Sequence, residues 1–200
     1  RQDVLFVVVG QDRVCYGGDK EVTGNQTFKE WVLARDDYDL SRFVFTGPVP
    51  VASLVQLFAL SDLHIYLTVP FVLSWSLLDA VACGVTVLAS DTAPVREMIE
   101  HGKNGLLADF FDVEALAQAA SAVLDAPGEY KHLGAAGVEM IRSRYSLDVC
   151  LPQHLRPHLQ PGGNQLAAGR HPVPAGVPRD HAVLLLGHAL PAFRPVQLSR

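Results

Sequence analysis

The chain has 200 residues and a net charge of −5, room for one ordinary domain or one domain plus an appendage. That balance excludes a nucleic-acid binder that relies on a broad basic face. Hydrophobic residues at 49% and charged residues at 18% predict a packed core and exclude wholesale disorder. There is no apolar run near the ~18 residues of a transmembrane helix, which leaves peripheral membrane association open. The three cysteines, Cys15, Cys83 and Cys150, are odd in number and far apart. They predict a reduced cytoplasmic protein, not a disulfide scaffold or a zinc ribbon.

Val4 to Val9 is a continuous apolar, β-branched run stopped by Gly10. A run apolar on both faces predicts a strand buried between two layers, as in a parallel sheet. Phe28, Trp31, Val32 and Arg35 then recur at helical spacing. Phe43-Val44-Phe45, ahead of Thr46-Gly47-Pro48, predicts a second strand, and Leu54, Leu57 and Phe58 a second helix. Leu63 to Leu67 predicts a third strand, followed by a helix carrying Leu77, Leu78 and Val81. Val85 to Ala89 predicts a fourth strand, Val95, Met98 and Ile99 another helix, and Gly105-Leu106-Leu107 a short fifth strand. Val113, Leu116, Ala117, Ala120 and Leu124 form the cleanest helical stripe, entered through Asp112 as N-cap, and a last helix runs from Pro127 to Ser143. The alternation predicts an α/β domain over residues 1–150, a Rossmann-like parallel sheet with helices on both faces. Because the first strand begins by residue 4 with no lead-in, an upstream portion is expected to be missing.

Composition breaks at residue 150. Residues 1–150 hold 20 acids and 11 Lys+Arg, whereas 151–200 hold one acid, Asp180, and five arginines. That last stretch also holds eight of the thirteen prolines, which interrupt regular elements. Only Ala182 to Leu190 is apolar enough to pack. The segment 151–200 is therefore expected to be a disordered tail outside the fold. Translation in a shifted reading frame and a natural Pro/Arg linker to a further domain both account for it.

In parallel α/β sheets ligands bind at the carboxyl ends of strands, beside helix N-termini. The informative stretch runs from Tyr66 to Asp91, a strand, a loop, a short helix, Gly84, a strand and a loop. Ser74 or Ser76 caps that helix, whose first N–H groups and positive dipole end suit a diphosphate. Ser76, Asp79 and Cys83 share one face while Leu77, Leu78 and Val81 take the core face. Asp79 is a lone carboxylate able to accept hydrogen bonds from sugar hydroxyls. A solvated surface aspartate accounts for the spacing equally well.

Taken in order, Val7-Val8-Val9-Gly10, Arg42-Phe-Val-Phe-Thr-Gly47, Leu60-Ser-Asp62, Leu77-Leu-Asp79-Ala-Val-Ala-Cys-Gly84, Val87-Leu-Ala-Ser90, Pro94-Val-Arg-Glu97 and Gly102-Lys-Asn-Gly105-Leu-Leu resemble the C-terminal, donor-binding half of retaining glycosyltransferases of the two-Rossmann-domain (GT-B) type, the group 1 or family 4-like enzymes. The resemblance covers roughly residues 4–150. It implies a domain that binds a nucleotide-sugar donor and works with an N-terminal acceptor-binding domain. It implies that Asp79 stands where a family glutamate binds the donor ribose, and that Phe71 stands where another contacts the donor sugar. Phe71 cannot accept a hydrogen bond, although a Pro-Phe-Val-Leu-Ser-Trp-Ser loop resembles that of a bacterial subgroup. The backbone around Leu73, Ser74, Trp75 and Ser76 is expected to hold the diphosphate without a metal or cofactor, with Gly10 and Gly47 at neighbouring strand ends. No catalytic residue can be named, and the basic pair that the family places on the diphosphate has no match after Gly10, neither Arg13 nor Lys20 fitting it. A non-catalytic remnant that binds nucleotide-sugar is the rival reading, and an epimerase of the same fold a weaker one.

Three other signals read as structural. Asp37-Tyr38-Asp39 has a D-x-D spelling but lies between a helix end and a strand start, where it reads as a solvated loop. His64 sits inside an apolar strand and reads as a core histidine. Glu97, on the Pro-x-x-Glu turn, reads as a local cap or pair.

Overall fold

A computed structural model describes residues 3–13, 19–70, 73–155 and 182–187. The elements are β1 (Val4–Val9), α1 (Asp19–Thr23), α2 (Phe28–Leu33), β2 (Phe43–Gly47), α3 (Val51–Leu60), β3 (Leu63–Tyr66), α4 (Trp75–Cys83), β4 (Val87–Ser90), α5 (Ala93–Arg96), β5 (Leu106–Ala108), α6 (Val113–Asp125), α7 (Pro127–Tyr145), α8 (Leu147–Leu155) and β6 (Ala182–Gly187). Six strands form one sheet in the order β2-β1-β6-β3-β4-β5. The pairs β1–β2, β3–β4 and β4–β5 are parallel, and β6 runs antiparallel to both β1 and β3.

Alternation along each strand sorts the core into two layers. Val7, Val9, Tyr66, Val87 and Ala89 face α3 and α4, where they meet Leu54, Phe58, Leu77 and Val81. Val4, Leu63 and Leu88 face the other way, onto Ala120, Val123 and Leu124 of α6. Side chains buried on both sides explain why these strands read as unbroken apolar runs. Asp112 caps α6 as expected, its carboxylate accepting the Ala115 N–H at 2.9 Å. Leu77 is fully buried, a contribution of about 1.5–3 kcal/mol from one side chain.

The helix that carries Asp79 is held from behind by α7. α4 ends at Gly84 with φ 77°, the left-handed conformation that glycine adopts without strain. The turn approaches Gly134 of α7 so closely that a Cβ there would stand 2.0 Å from the Gly84 carbonyl oxygen.

The structure departs from the sequence reading at the carboxyl end. α8 runs through residue 150 and contains Pro152. Residues 182–187 lie at the centre of the sheet, where a tail outside the fold was expected. The prolines that argue against regular structure, Pro178 and Pro191, flank this run and leave its six amides free to join the ladder. β1 and β3 offer it backbone partners on both sides. The rest of the tail, 156–181 and 188–200, lies outside the described residues.

Candidate functional site

The residues singled out from sequence fall into two groups at the carboxyl ends of the parallel strands. Gly10 and Gly47 close the ends of β1 and β2, and the Gly10 N–H donates to the Gly47 carbonyl at 3.1 Å. Gly47 has φ 66°, so the backbone turns there without a side chain over the strand end. A cavity of about 540 Å³ opens beside this pair. Phe28, Lys29, Tyr38 and Phe45 line it, and the Lys29 ammonium lies 4.1 Å from the centre of the Phe45 ring.

The second group surrounds the start of α4. Ser74 is the N-cap and Trp75 the first helical residue. The Ser74 hydroxyl accepts the Ser76 N–H at 3.2 Å and lies 2.8 Å from the Ser76 hydroxyl. The Ser74 N–H donates to the Tyr66 hydroxyl at 3.0 Å. Those two amides are therefore already engaged. Among the described residues no acceptor meets the amides of Leu73 and Trp75, so these two are the backbone donors this helix start can offer a ligand. Trp75 is exposed and Ser76 buried. Asp79 is half-buried one turn further along α4. Burial pushes the Cys83 thiol up, and the charge of Asp79 adds to the shift. Phe71 lies outside the described residues.

Strand order keeps the two groups apart. Between the end of β1 and the end of β3 stands the start of β6, with Ala182 opposite Val9 and Val183 opposite Ile65. Gly10 and Gly47 thus form one corner of the crevice, and residues 73–79 another.

Two positioning contacts escaped the sequence reading. Tyr66 fixes the loop before α4 through its hydroxyl, and Ser90, fully buried at the end of β4, accepts the Thr68 N–H at 2.7 Å. Both residues lie in predicted strands or at their ends, where only tertiary contact shows that they brace a loop. Beside them Asp91 receives Arg96 through two bonds, of 2.5 and 2.8 Å. Hydrogen bonds from Arg96 hold the Asp91 carboxyl below its ordinary value, and the charges of Arg96 and His101 act in the same direction.

Two of the three signals read as structural, Asp39 and His64, make local contacts. Asp39 accepts from Ser41 and Arg42 in a 3-10 turn, and the Ser41 hydroxyl bond draws its carboxyl below the ordinary value. His64 is fully buried, edge-on to the Phe58 ring. Glu97 is exposed and ends α5. Among the described residues no three His, Cys, Asp or Glu side chains are grouped to hold a metal ion, and no helix is long and apolar enough to cross a membrane.

The sequence pattern of the family "Glycosyl transferases group 1" matches residues 1–126, which take in every element from β1 to α6. The chain belongs to that family. Over 102 residues the chain is 26% identical to the N-acetyl-alpha-D-glucosaminyl L-malate synthase of Bacillus anthracis, a stretch that covers 51% of the chain and 27% of that enzyme. Its fold is similar to that of Anabaena HepE in complex with UDP-glucose, with a TM-score of 0.62 at 21% identity over 76% of the chain and 40% of HepE. It is also similar to sucrose-phosphate synthase from Thermosynechococcus elongatus, with a TM-score of 0.58 at 23% identity over 76% of the chain and 37% of that structure. The chain therefore spans about a quarter of the curated relative and about two fifths of these solved structures. The fold is Rossmann-like α/β, corresponding to part of a GT-B glycosyltransferase.

Proposed function

We propose that this chain is the donor-binding domain of a retaining glycosyltransferase, which binds a nucleoside diphosphate sugar at the carboxyl ends of its parallel strands. The observation that carries the reading is the start of α4. A serine-capped helix start presents two amides that no described residue engages, with the Asp79 carboxylate one turn behind them. The amides of Leu73 and Trp75 and the positive helix end stabilise the diphosphate, and Asp79 accepts hydrogen bonds from the ribose hydroxyls. Phosphate charge met by fixed backbone dipoles requires no metal. The sugar leaves its diphosphate for an acceptor hydroxyl held by a second, N-terminal domain, and closure of the two excludes water from the reacting centre. The work is done in the cytoplasm, where nucleotide-sugar is substrate and no resident cofactor takes part.

Phe71 favours a second reading. It occupies the position that the family resemblance gives to a carboxylate on the donor sugar, and a ring cannot take over that hydrogen bond. A chain that binds donor without transferring it would keep Asp79 and tolerate Phe71.

Calorimetric titration with UDP, GDP and their monophosphates, with and without EDTA, tests the binding step. The expected result is tighter binding of a diphosphate than of its monophosphate and no change on adding EDTA. Binding that vanishes with EDTA, or that ignores the second phosphate, overturns the helix-terminus mechanism. Sugar release from UDP-glucose or GDP-mannose in the presence of the second domain separates the transferase from the non-catalytic binder.

A further inference from the structure

We propose that Trp75 is a specificity-determining residue, its exposed indole the platform on which the pyranose ring of a nucleoside diphosphate sugar stacks. The proposal rests on the donor-binding reading and adds to it where the sugar lies and what holds it. Three observations carry it. First, the indole is in solvent without a partner. α4 turns Ser76, Leu77, Ala80 and Val81 into the core, and Trp75, 70% exposed, is the one large apolar side chain of that helix left outside. The chain's other tryptophan, Trp31, has the Arg35 guanidinium 3.6 Å from its ring centre and the Phe28 ring at 5.3 Å. Among the described residues no ring or cation is paired with Trp75. Second, Trp75 and Asp79 are four residues apart, so they lie one above the other on a single face of α4.

Third, the order of groups on that face matches the order of parts in the ligand. Helix side chains slant toward the amino end. The indole therefore extends beyond the helix start, whereas the Asp79 carboxylate reaches back toward the first turn. Along the helix axis the face offers an aromatic plate, then the amides of Leu73 and Trp75, then a carboxylate. A nucleoside diphosphate sugar has a pyranose, then a diphosphate, then a ribose. One face of a hexopyranose such as glucose carries axial C–H bonds, whose weakly positive hydrogens meet the negative face of an aromatic ring. Stacking needs no hydrogen-bond acceptor, and the three residues before Ser74, namely Phe71, Val72 and Leu73, have none in their side chains.

The test is calorimetric titration of the full chain with UDP, UDP-glucose, GDP and GDP-mannose, in wild type, Trp75→Phe and Trp75→Ala. These substitutions leave the amide of residue 75 in place, and at an exposed position they should not move the urea midpoint. The quantity read is the affinity of the sugar nucleotide divided by that of its bare diphosphate, for the pair that wild type binds more tightly. Trp75→Ala is expected to lower this ratio by about 3- to 10-fold and to leave the affinity for the bare diphosphate unchanged. Trp75→Phe, which keeps an aromatic face, should retain most of the ratio. In a Trp31→Phe background Trp75 is the single tryptophan. There the sugar nucleotide should shift the emission to shorter wavelength and the bare diphosphate should not. A ratio unchanged in Trp75→Ala overturns the proposal and leaves the donor-binding reading standing, as does a wild type that binds the bare diphosphates but neither sugar nucleotide. Equal weakening of sugar nucleotide and bare diphosphate puts the indole on the nucleotide and overturns the proposal too. A wild type that binds none of the four overturns the donor-binding reading itself, and the stacking with it.

Discussion

At the scale of single residues, the proposed donor site rests on a few polar atoms placed where backbone ends are exposed. Asp79→Asn keeps the shape of the side chain and removes its charge. Loss of a charged hydrogen bond costs ~1.5–3 kcal/mol, so the variant should bind UDP roughly 10- to 150-fold more weakly by calorimetry, and equal affinity would remove Asp79 from the site. Arg96 and Asp91 report on pH. The folded Asp91 carboxyl lies below its ordinary value, so the stability it contributes is present above the unfolded value of ~3.9 and is lost as pH falls through the folded one. The urea midpoints of wild type and Arg96→Gln should therefore differ modestly at neutral pH, because the pair is partly exposed, and converge in strong acid. The cap at Ser74 was legible because serine before an apolar period is a local signal. The engagement of its N–H by Tyr66 was not, because the partner is eight residues away and its direction is set by β3.

At the scale of elements, α4 is positioned by its packing on α7 more than by its own length of nine residues. Gly134→Ala tests this. The added methyl meets the Gly84 carbonyl, part of the backbone, which cannot rotate away as a side chain would. The helices have to separate, at a cost of about 1–3 kcal/mol. Thermal denaturation should show a drop of roughly 2–12 °C, and weaker UDP binding should accompany it. An unchanged melting temperature would mean that α4 is held by its other contacts. Five strands and the α6 stripe were legible because burial on one or both faces writes a period into the sequence. α1 was missed because its five residues, Asp19–Thr23, are too few to establish one. α8 was missed because Pro152 reads as a break.

At the scale of the whole molecule, β6 is the strand that joins β2-β1 to β3-β4-β5. Truncation after Leu155 should leave β1 and β3 each short of a hydrogen-bonded neighbour. The truncated chain is expected to unfold at lower urea than the full chain and to bind a hydrophobic dye. Equal midpoints and no dye binding would show that the layers of α3, α4 and α6 hold the two halves without β6.

The sequence by itself determined the α/β class, the parallel strands, the helix that carries Asp79 and the family, because each of these is recorded in local periodicity, capping or short motifs in order. Only the tertiary structure decided which strands are neighbours, that Tyr66 and Ser90 brace the loop before α4, and that Ala182–Gly187 sits between β1 and β3. Strand pairing joins residues more than a hundred positions apart, and hydrogen bonds between backbone groups are the same for every residue type but proline. A six-residue apolar run therefore looks alike in sequence whether it completes a sheet or lies outside one.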